Sequence, residues 1–114
     1  MHELSVILSV LDEVEACARR GNARYVTRVY LRVGTMSGIA PEALQFAWST
    51  ARDKTIAATA ELVIDKIAAT LDCPICLTEQ LATNGTLQLC AICGTVAPVR
   101  RGREMHLYAL DVKD

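Results

Sequence analysis

Residues 73–93, CPICLTEQLATNGTLQLCAIC, contain two Cys-x-x-Cys pairs separated by thirteen residues. Two-residue spacing lets both thiolates of a pair face one ion, so each pair is expected to form a metal-binding knuckle. Asn84-Gly85, between the pairs, is a strong signal for a β-hairpin that folds the two knuckles together. Four thiolates in a tetrahedron suit zinc in both geometry and softness. The predicted zinc ligands are Cys73, Cys76, Cys90 and Cys93.

The predicted zinc is structural, because four protein ligands leave no open coordination position for catalysis. Two disulfides, a redox-active Cys-x-x-Cys pair and a rubredoxin-like iron centre are the alternatives. The doubled motif and the intervening hairpin argue against the first two, while an iron centre uses similar knuckles. Between Cys73 and Val99 only Glu79 is charged. This insert is too small and polar to hold a core, so metal binding is expected to supply its folding free energy.

Outside the insert, two segments have the periodicity of amphipathic helices. The first is predicted over residues 3–20, with Gly21-Asn22 as its stop signal. Pro41 suits the first position of the second helix. The predicted buried stripes are Leu4, Ile7, Leu8, Leu11 and Val14 in the first helix, and Leu44, Ala47, Trp48 and Ala51 in the second.

Three further segments alternate as β-strands do, at residues 25–33, 60–68 and 105–110. In the first strand, one predicted face carries Tyr25, Thr27, Val29, Leu31 and Val33, and the other carries Val26, Arg28, Tyr30 and Arg32. Two helices on one face of a three-stranded sheet would bury all of these stripes. The predicted fold class is therefore α+β, with a small inserted zinc-ribbon-like domain made of two Cys-x-x-Cys knuckles.

The chain is expected to form two domains. Residues 1–70 plus 100–114 make the α+β domain, and residues 71–99 make the zinc-binding domain. The segment VRRGR, residues 99–103, returns the chain to the main sheet and is predicted to be a solvated hinge.

Composition excludes several classes of function. The 114 residues are 52% apolar and carry a net charge of −1, which gives no long-range attraction to nucleic acid or an anionic membrane. No apolar run approaches the ~18 residues of a membrane span. There is no phosphate loop and no locally supported Ser/His/Asp set, so an enzyme is not expected. The apolar start runs into acidic residues without a basic leader, and five cysteines then indicate a reducing compartment, which predicts a cytoplasmic protein.

Three cysteine or histidine residues lie outside the knuckles. Cys17, near the end of the first helix, is expected to be a small hydrophobic residue at the core boundary. His106, on the third strand, is expected to be a hydrogen-bonded structural histidine rather than a ligand. His2 follows the free amine of Met1. The amine, the His2 amide nitrogen and the His2 ring nitrogen can together form fused chelate rings around one metal ion.

Four segments occur in a characteristic order along the chain. They are MHELS at residues 1–5, VYLRVGTMSGIAPEALQFAW at 29–48, the paired CPIC and CAICG knuckles, and GREMHLYALDV at 102–112. Over nearly its full length the chain closely resembles the HypA/HybF family of hydrogenase nickel-incorporation proteins. The Met-His-Glu start and the two knuckles are the most specific parts of the resemblance.

The resemblance implies a nickel metallochaperone. Such a protein carries Ni(II) as transient cargo, works with a HypB-type GTPase and supplies the immature large subunit of NiFe-hydrogenase. It assigns nickel to Met1, His2 and Glu3, and zinc to the four knuckle cysteines. Ni(II) favours planar nitrogen donors and zinc favours the thiolate tetrahedron, so one small chain can sort the two metals by geometry. The resemblance does not decide whether the fourth nickel donor is the Glu3 amide, a carboxylate or a partner's side chain. It also does not decide whether the protein is a homodimer.

The sequence departs from the family pattern at two points. No histidine flanks the knuckles, which argues against a zinc site that exchanges Cys for His ligands with pH. The second knuckle has Ala91 where proline often follows the first cysteine, a change that keeps the spacing.

A zinc-ribbon module that binds nucleic acid or a transcription complex is the alternative function. Its basic patch would be Arg100, Arg101 and Arg103. The insert has almost no Lys or Arg and no aromatic platform on which bases could stack. The metal-carrier interpretation is therefore preferred.

Overall fold

The computed structural model describes residues 3–82 and 88–113, which form two helices and six strands. The predicted Asn84-Gly85 hairpin, Met1 and His2 lie outside the described residues. In chain order the elements are α1 (Glu3–Arg20), β1 (Tyr25–Gly34), α2 (Pro41–Ala51), β2 (Glu61–Ile67), β3 (Thr70–Cys73), β4 (Thr78–Leu81), β5 (Val99–Arg101) and β6 (Met105–Lys113).

The larger sheet has the strand order β2-β1-β6, with β1 at its centre. Strand β1 is parallel to β2 and antiparallel to β6. Helix α2 connects the two parallel strands, because a parallel pair needs a crossover that a tight turn cannot provide. Both helices contribute buried residues to the same core as this sheet. The predicted α+β fold of two helices on a three-stranded sheet is thus confirmed.

The core of the larger unit is apolar and close-packed. Ile7, Leu31 and Leu44 are fully buried. Trp48 is buried too, and its indole Nε1–H donates a hydrogen bond to the Ala60 carbonyl oxygen at 2.9 Å. This bond satisfies the polar atom of the largest aromatic side chain while its ring fills the core. In the described part of the chain, no helix is both long and apolar enough to span a bilayer.

The predicted stripe of α1 is wrong at two positions. Leu4 and Leu8 are 50% and 51% exposed, and the buried face includes Val6 and Val10 instead. Both pairs are four residues apart, so helical periodicity supports either one. The full buried face is Val6, Ile7, Val10, Leu11, Val14 and Ala18. From Glu3 onward, where the description of the chain begins, the first buried residue is Val6.

The alternation predicted for β1 is correct from Val29 onward and wrong before it. Val26 is buried, whereas Tyr25 and Thr27 are exposed. The pairing with β6 shifts register between Val26 and Arg28, which leaves Thr27 as an extra residue. Such a β-bulge reverses the faces of the residues on one side of it.

A second, smaller sheet has the strand order β4-β3-β5. Residues 99–101, predicted to be a hinge, instead form its strand β5, which pairs antiparallel with β3. This small sheet has its own buried cluster, made of Leu71, Cys73, Cys90 and Ala97.

The junction between the two sheets is close-packed around two glycines. A Cβ on Gly34 would overlap the Gly102 carbonyl oxygen, and Gly102 itself has a φ of +119°. The Met36 N–H donates to that same oxygen at 2.6 Å. The radius of gyration is 17.3 Å, against about 13 Å for a compact chain of this length. The molecule is accordingly elongated, with extents of 53 × 25 × 16 Å.

Candidate metal centre

The two knuckles contain the same type of backbone turn. In the first, the Leu77 N–H donates to the Cys73 carbonyl oxygen at 2.9 Å; in the second, the Gly94 N–H donates to the Cys90 carbonyl oxygen at 3.0 Å. Both turns end in the left-handed region, with φ of 54° at Leu77 and 75° at Gly94. The same turn used twice directs two cysteines from each knuckle toward a common centre.

The four knuckle sulfurs all lie within 4.8 Å of one another. The Sγ atoms of Cys73 and Cys93 are 3.7 Å apart, and those of Cys76 and Cys90 are 3.8 Å apart. A tetrahedron with metal–sulfur bonds of about 2.3 Å has sulfur–sulfur edges of about 3.8 Å. A disulfide would need about 2.05 Å. The spacing fits a tetrahedral thiolate site for a metal such as zinc.

Backbone N–H groups within the knuckles donate hydrogen bonds to the sulfurs of Cys73 and Cys90. The Cys76 N–H donates to Cys73 Sγ at 3.3 Å. Ile92 and Cys93 donate their N–H groups to Cys90 Sγ at 3.3 and 3.5 Å. Cys73 and Cys90 are also the buried members of the set, whereas Cys93 is exposed. The two buried sulfurs therefore accept these N–H groups.

Gln80, on β4, is the residue at this site that sequence reasoning missed. Its Nε2 donates to Cys90 Sγ at 3.0 Å and to Thr78 Oγ1 at 2.9 Å. Its Oε1 accepts the Ala91 N–H at 2.9 Å. One amide side chain thus joins β4 to the second knuckle. Thr78 and Gln80 are two residues apart on a strand, and this spacing is the only signal the sequence offers.

Hydrogen bonds shift the pKa values of three of the thiols, and not all in the same direction. The Cys93 backbone N–H, followed by Gln80, lowers the pKa of Cys90 to about 6. The Thr95 hydroxyl lowers the pKa of Cys93. The pKa of Cys76 rises to about 12, mainly through its hydrogen bond with Cys93. Cys76 thus holds a proton that a bound divalent cation would displace, because coordination deprotonates thiols.

Two of the three arginines of the predicted basic patch are neutralised within the small sheet. Arg101 Nε lies 2.8 Å from Glu79 Oε2, and Arg100 Nη1 lies 3.4 Å from Asp72 Oδ2. The Thr70 hydroxyl, and after it the arginines, lower the pKa of Glu79. These pairs leave little free positive charge for a nucleic acid, which weakens the alternative function.

Of the predicted nickel ligands, only Glu3 lies among the described residues, and it is the first residue of α1. Glu3 is half-buried and lines a cavity of about 350 Å³. Helix α1 thus begins within the predicted Met-His-Glu motif.

Cys17 and His106, the described cysteine and histidine outside the knuckles, lie away from the four-cysteine cluster. Cys17 is half-buried with Arg20 Nη2 at 3.1 Å from its sulfur, which is the expected boundary position. His106 is exposed on β6, where its backbone pairs with Arg32 of β1, and its imidazole makes no hydrogen bond within residues 3–82 and 88–113. The expectation of a hydrogen-bonded structural histidine is therefore wrong.

These features define a class of small metal-binding protein, in which an α+β unit carries a zinc-ribbon-like sheet with four convergent cysteines. The sequence model of the family described as "Hydrogenase/urease nickel incorporation, metallochaperone, hypA" matches residues 1–112. The chain belongs to this HypA family of nickel-incorporation metallochaperones, as the sequence resemblance predicts.

Relatives and solved structures agree with the family match. The chain is 36% identical to hydrogenase maturation factor HypA of Chloroflexus aggregans over 112 residues, which cover 97% of this chain and 98% of the relative. It is 32% identical to the Aquifex aeolicus factor over 114 residues, covering 99% and 98%. The solution structure of the Ni metallochaperone HypA from Helicobacter pylori is similar at 25% identity with a TM-score of 0.71, covering 99% of this chain and 98% of that one.

Proposed function

We propose that the protein is a nickel carrier that binds Ni(II) through Met1, His2 and Glu3 and delivers it to the NiFe-hydrogenase large subunit. A HypB-type GTPase takes part in the delivery. The observation that carries this proposal is the family match over residues 1–112, which includes the Met-His-Glu start. The protein acts in the cytoplasm and as a carrier, not an enzyme.

The donor set suits a cargo site. The Met1 amine and the His2 amide close one five-membered chelate ring, and the His2 ring nitrogen closes the next. The positive end of the α1 dipole disfavours a nearby cation by about 0.3–1 kcal/mol, which the Glu3 carboxylate and deprotonated amides offset. A small site with few protein ligands releases its metal readily, as a carrier must.

Zinc at the four knuckle cysteines has a structural role. Four thiolates close the coordination shell, and the sulfur spacing supports this assignment. The protein then has two domains, residues 1–70 plus 100–114 and residues 71–99, except that Thr70, Arg100 and Arg101 belong to strands of the smaller sheet. Replacing Cys73 by Ala should disorder the second domain while the first stays folded, because each sheet has its own buried cluster. Amide NMR spectra of the variant test this, and unfolding of both units together would contradict it.

The proposed nickel site is tested on tag-free protein with a native N-terminus. Calorimetric Ni(II) titration should give one site per chain, lost in His2→Gln and retained in His106→Gln. The chain has only these two histidines, so the second variant is a matched control. Zinc content, measured by elemental analysis, should be the same in all three proteins. Retention of the site in His2→Gln, or its loss in His106→Gln, would overturn the assignment.

A further inference from the structure

A groove of about 490 Å³ lies between α1 and the beginning of β6, and neither Glu3 nor any knuckle cysteine lines it. Its floor is apolar, with Val6 and Val10 from α1 and Met105 and Leu107 from β6. Ile39, from the loop after β1, contributes a further apolar side chain. The groove therefore offers apolar contact next to a strand.

That strand is an outer strand of the larger sheet. In the order β2-β1-β6, the only neighbour of β6 among the described residues is β1. Every second N–H and C=O of an edge strand points away from its neighbour and is available for another strand. Met105, His106 and Leu107 all line the groove. Because successive side chains of a strand face opposite sides, a cavity that contacts three in a row reaches the strand's edge.

The first three residues of β6, Met105–Leu107, lack the features that usually prevent edge pairing. Residues 105–110 contain no lysine, proline or glycine. The β6 register shifts between its partners Tyr30 and Leu31, which places one extra residue at Tyr108. This bulge follows the part of the edge that lines the groove, so Met105–Leu107 remains regular strand.

Charge at the groove is uneven. Arg103 lines the end near the start of β6 and, unlike Arg100 and Arg101, makes no ion pair within the described ranges. His106 lies on the same side, and Glu13 lies on the α1 side. A carboxylate on an occupant is accordingly favoured at the Arg103 end.

We propose that this groove binds an extended segment of a partner polypeptide, added to β6 as an outer antiparallel strand. Alternate apolar side chains of the segment enter the groove, and a carboxylate at its C-terminal end lies beside Arg103. The unpaired backbone groups select a strand over a helix, since a helix satisfies its own backbone and would leave the edge bare. This surface adds a protein-binding role that does not depend on the metal at either site.

The test uses the full chain and the synthetic peptide acetyl-Thr-Val-Thr-Val-Thr-Val-Asp-amide. Nitrogen–proton NMR titration should give saturable shifts at the amides of residues 105–109 of β6 and along the groove side of α1. Saturation that leaves these amides unmoved, or that shifts a different surface, would overturn the proposal.

Two N-methylated peptides separate strand addition from simple apolar contact. One carries N-methyl groups at the valines, and the other carries them at the threonines. In an added strand only one set of amides faces β6, so one peptide should bind at least about tenfold more weakly and the other about as well as the parent. Equal binding of both peptides contradicts strand addition.

Matched variants locate the site on the protein. Ser9→Phe fills the groove and should abolish binding, whereas Ser49→Phe on the exposed face of α2 should not. Arg103→Gln should remove the preference for the Asp peptide over its Asn counterpart. Sedimentation of the chain alone tests a second copy as the occupant: a dimer that buries β6 and excludes the peptide contradicts the proposal.

Discussion

Gln80→Ala tests how the small sheet prepares the second knuckle for a metal. The substitution removes an amide that joins β4 to Cys90 and Ala91 but changes none of the four cysteines. The four predicted ligands remain in place. Any loss of metal affinity then measures how much the surrounding hydrogen bonds contribute.

The magnitude follows from the two hydrogen bonds that Gln80 makes with the second knuckle. The bond from Nε2 to the Cys90 sulfur is charge-assisted when Cys90 is a thiolate, and such bonds contribute about 1.5–3 kcal/mol. Its loss corresponds to about a 10- to 100-fold weaker zinc affinity, the range found for residues that support metal ligands. The bond to the Ala91 N–H is neutral and adds about 1 kcal/mol to the stability of the small sheet. The Cys90 pKa, now about 6, should also rise.

Competition with a chromophoric chelator measures the zinc affinity of both proteins. Gln45→Ala is the matched control, because Gln45 Nε2 donates to the Leu62 carbonyl oxygen at 2.8 Å in the other sheet. That variant should lose about 1 kcal/mol of stability and keep its zinc affinity. If Gln80→Ala binds zinc within twofold of the parent chain, the positioning role assigned to Gln80 is refuted.

Three further predictions concern the junction, acid stability and the nickel site. Gly102→Ala should lower the free energy of unfolding by about 2–5 kcal/mol, because φ is +119° and the new Cβ would contact Ala69. Gly21→Ala is the control: its Cβ would have no neighbour closer than 3.7 Å, so it should change that free energy by less than about 1 kcal/mol. Chemical unfolding measures both. Hydrogen bonds from backbone amides lower the pKa of Glu104 in the folded protein. The carboxylate therefore stabilises the fold fully above its unfolded-state pKa near 4.3, and this contribution is lost as pH falls. Glu104→Gln should flatten the decline of Tm below that pH, and an unchanged slope would contradict this. One residue added before Met1 should abolish nickel binding while zinc stays, and native protein should release nickel as pH falls through about 6.5, both followed by metal titration; tight binding by the extended chain would show that the amine is not a ligand.

Local patterns in the sequence were sufficient to predict both helices, the three strands of the larger sheet and the four-cysteine cluster, but not the strands of the smaller sheet. Helix α1 occupies the predicted residues 3–20, and α2 begins at Pro41. These predictions succeed because helical period, stop signals and proline geometry act within a few residues. The cysteine spacing likewise constrains each knuckle locally, and two knuckles with four thiols have one simple way to converge.

The tertiary structure decided which of several equally periodic faces is buried. Leu4 with Leu8 and Val6 with Val10 satisfy the same helical spacing, and packing against the sheet and α2 buries the second pair. The bulge at Thr27 has a similar origin, since it depends on how β6 pairs with β1. No residue near Thr27 in the sequence carries that information.

Long-range contacts also determined the surroundings of the metal centre. Gln80 meets Cys90 and Ala91 only because the small sheet places β4 beside the second knuckle. Residues 99–101 form a strand because β3, almost thirty residues earlier, supplies their hydrogen-bond partners. Spacing along the chain specifies which groups can share a turn, whereas strand pairing across many residues specifies which turns meet. The first is encoded in short motifs, and the second depends on the free energy of packing the whole fold.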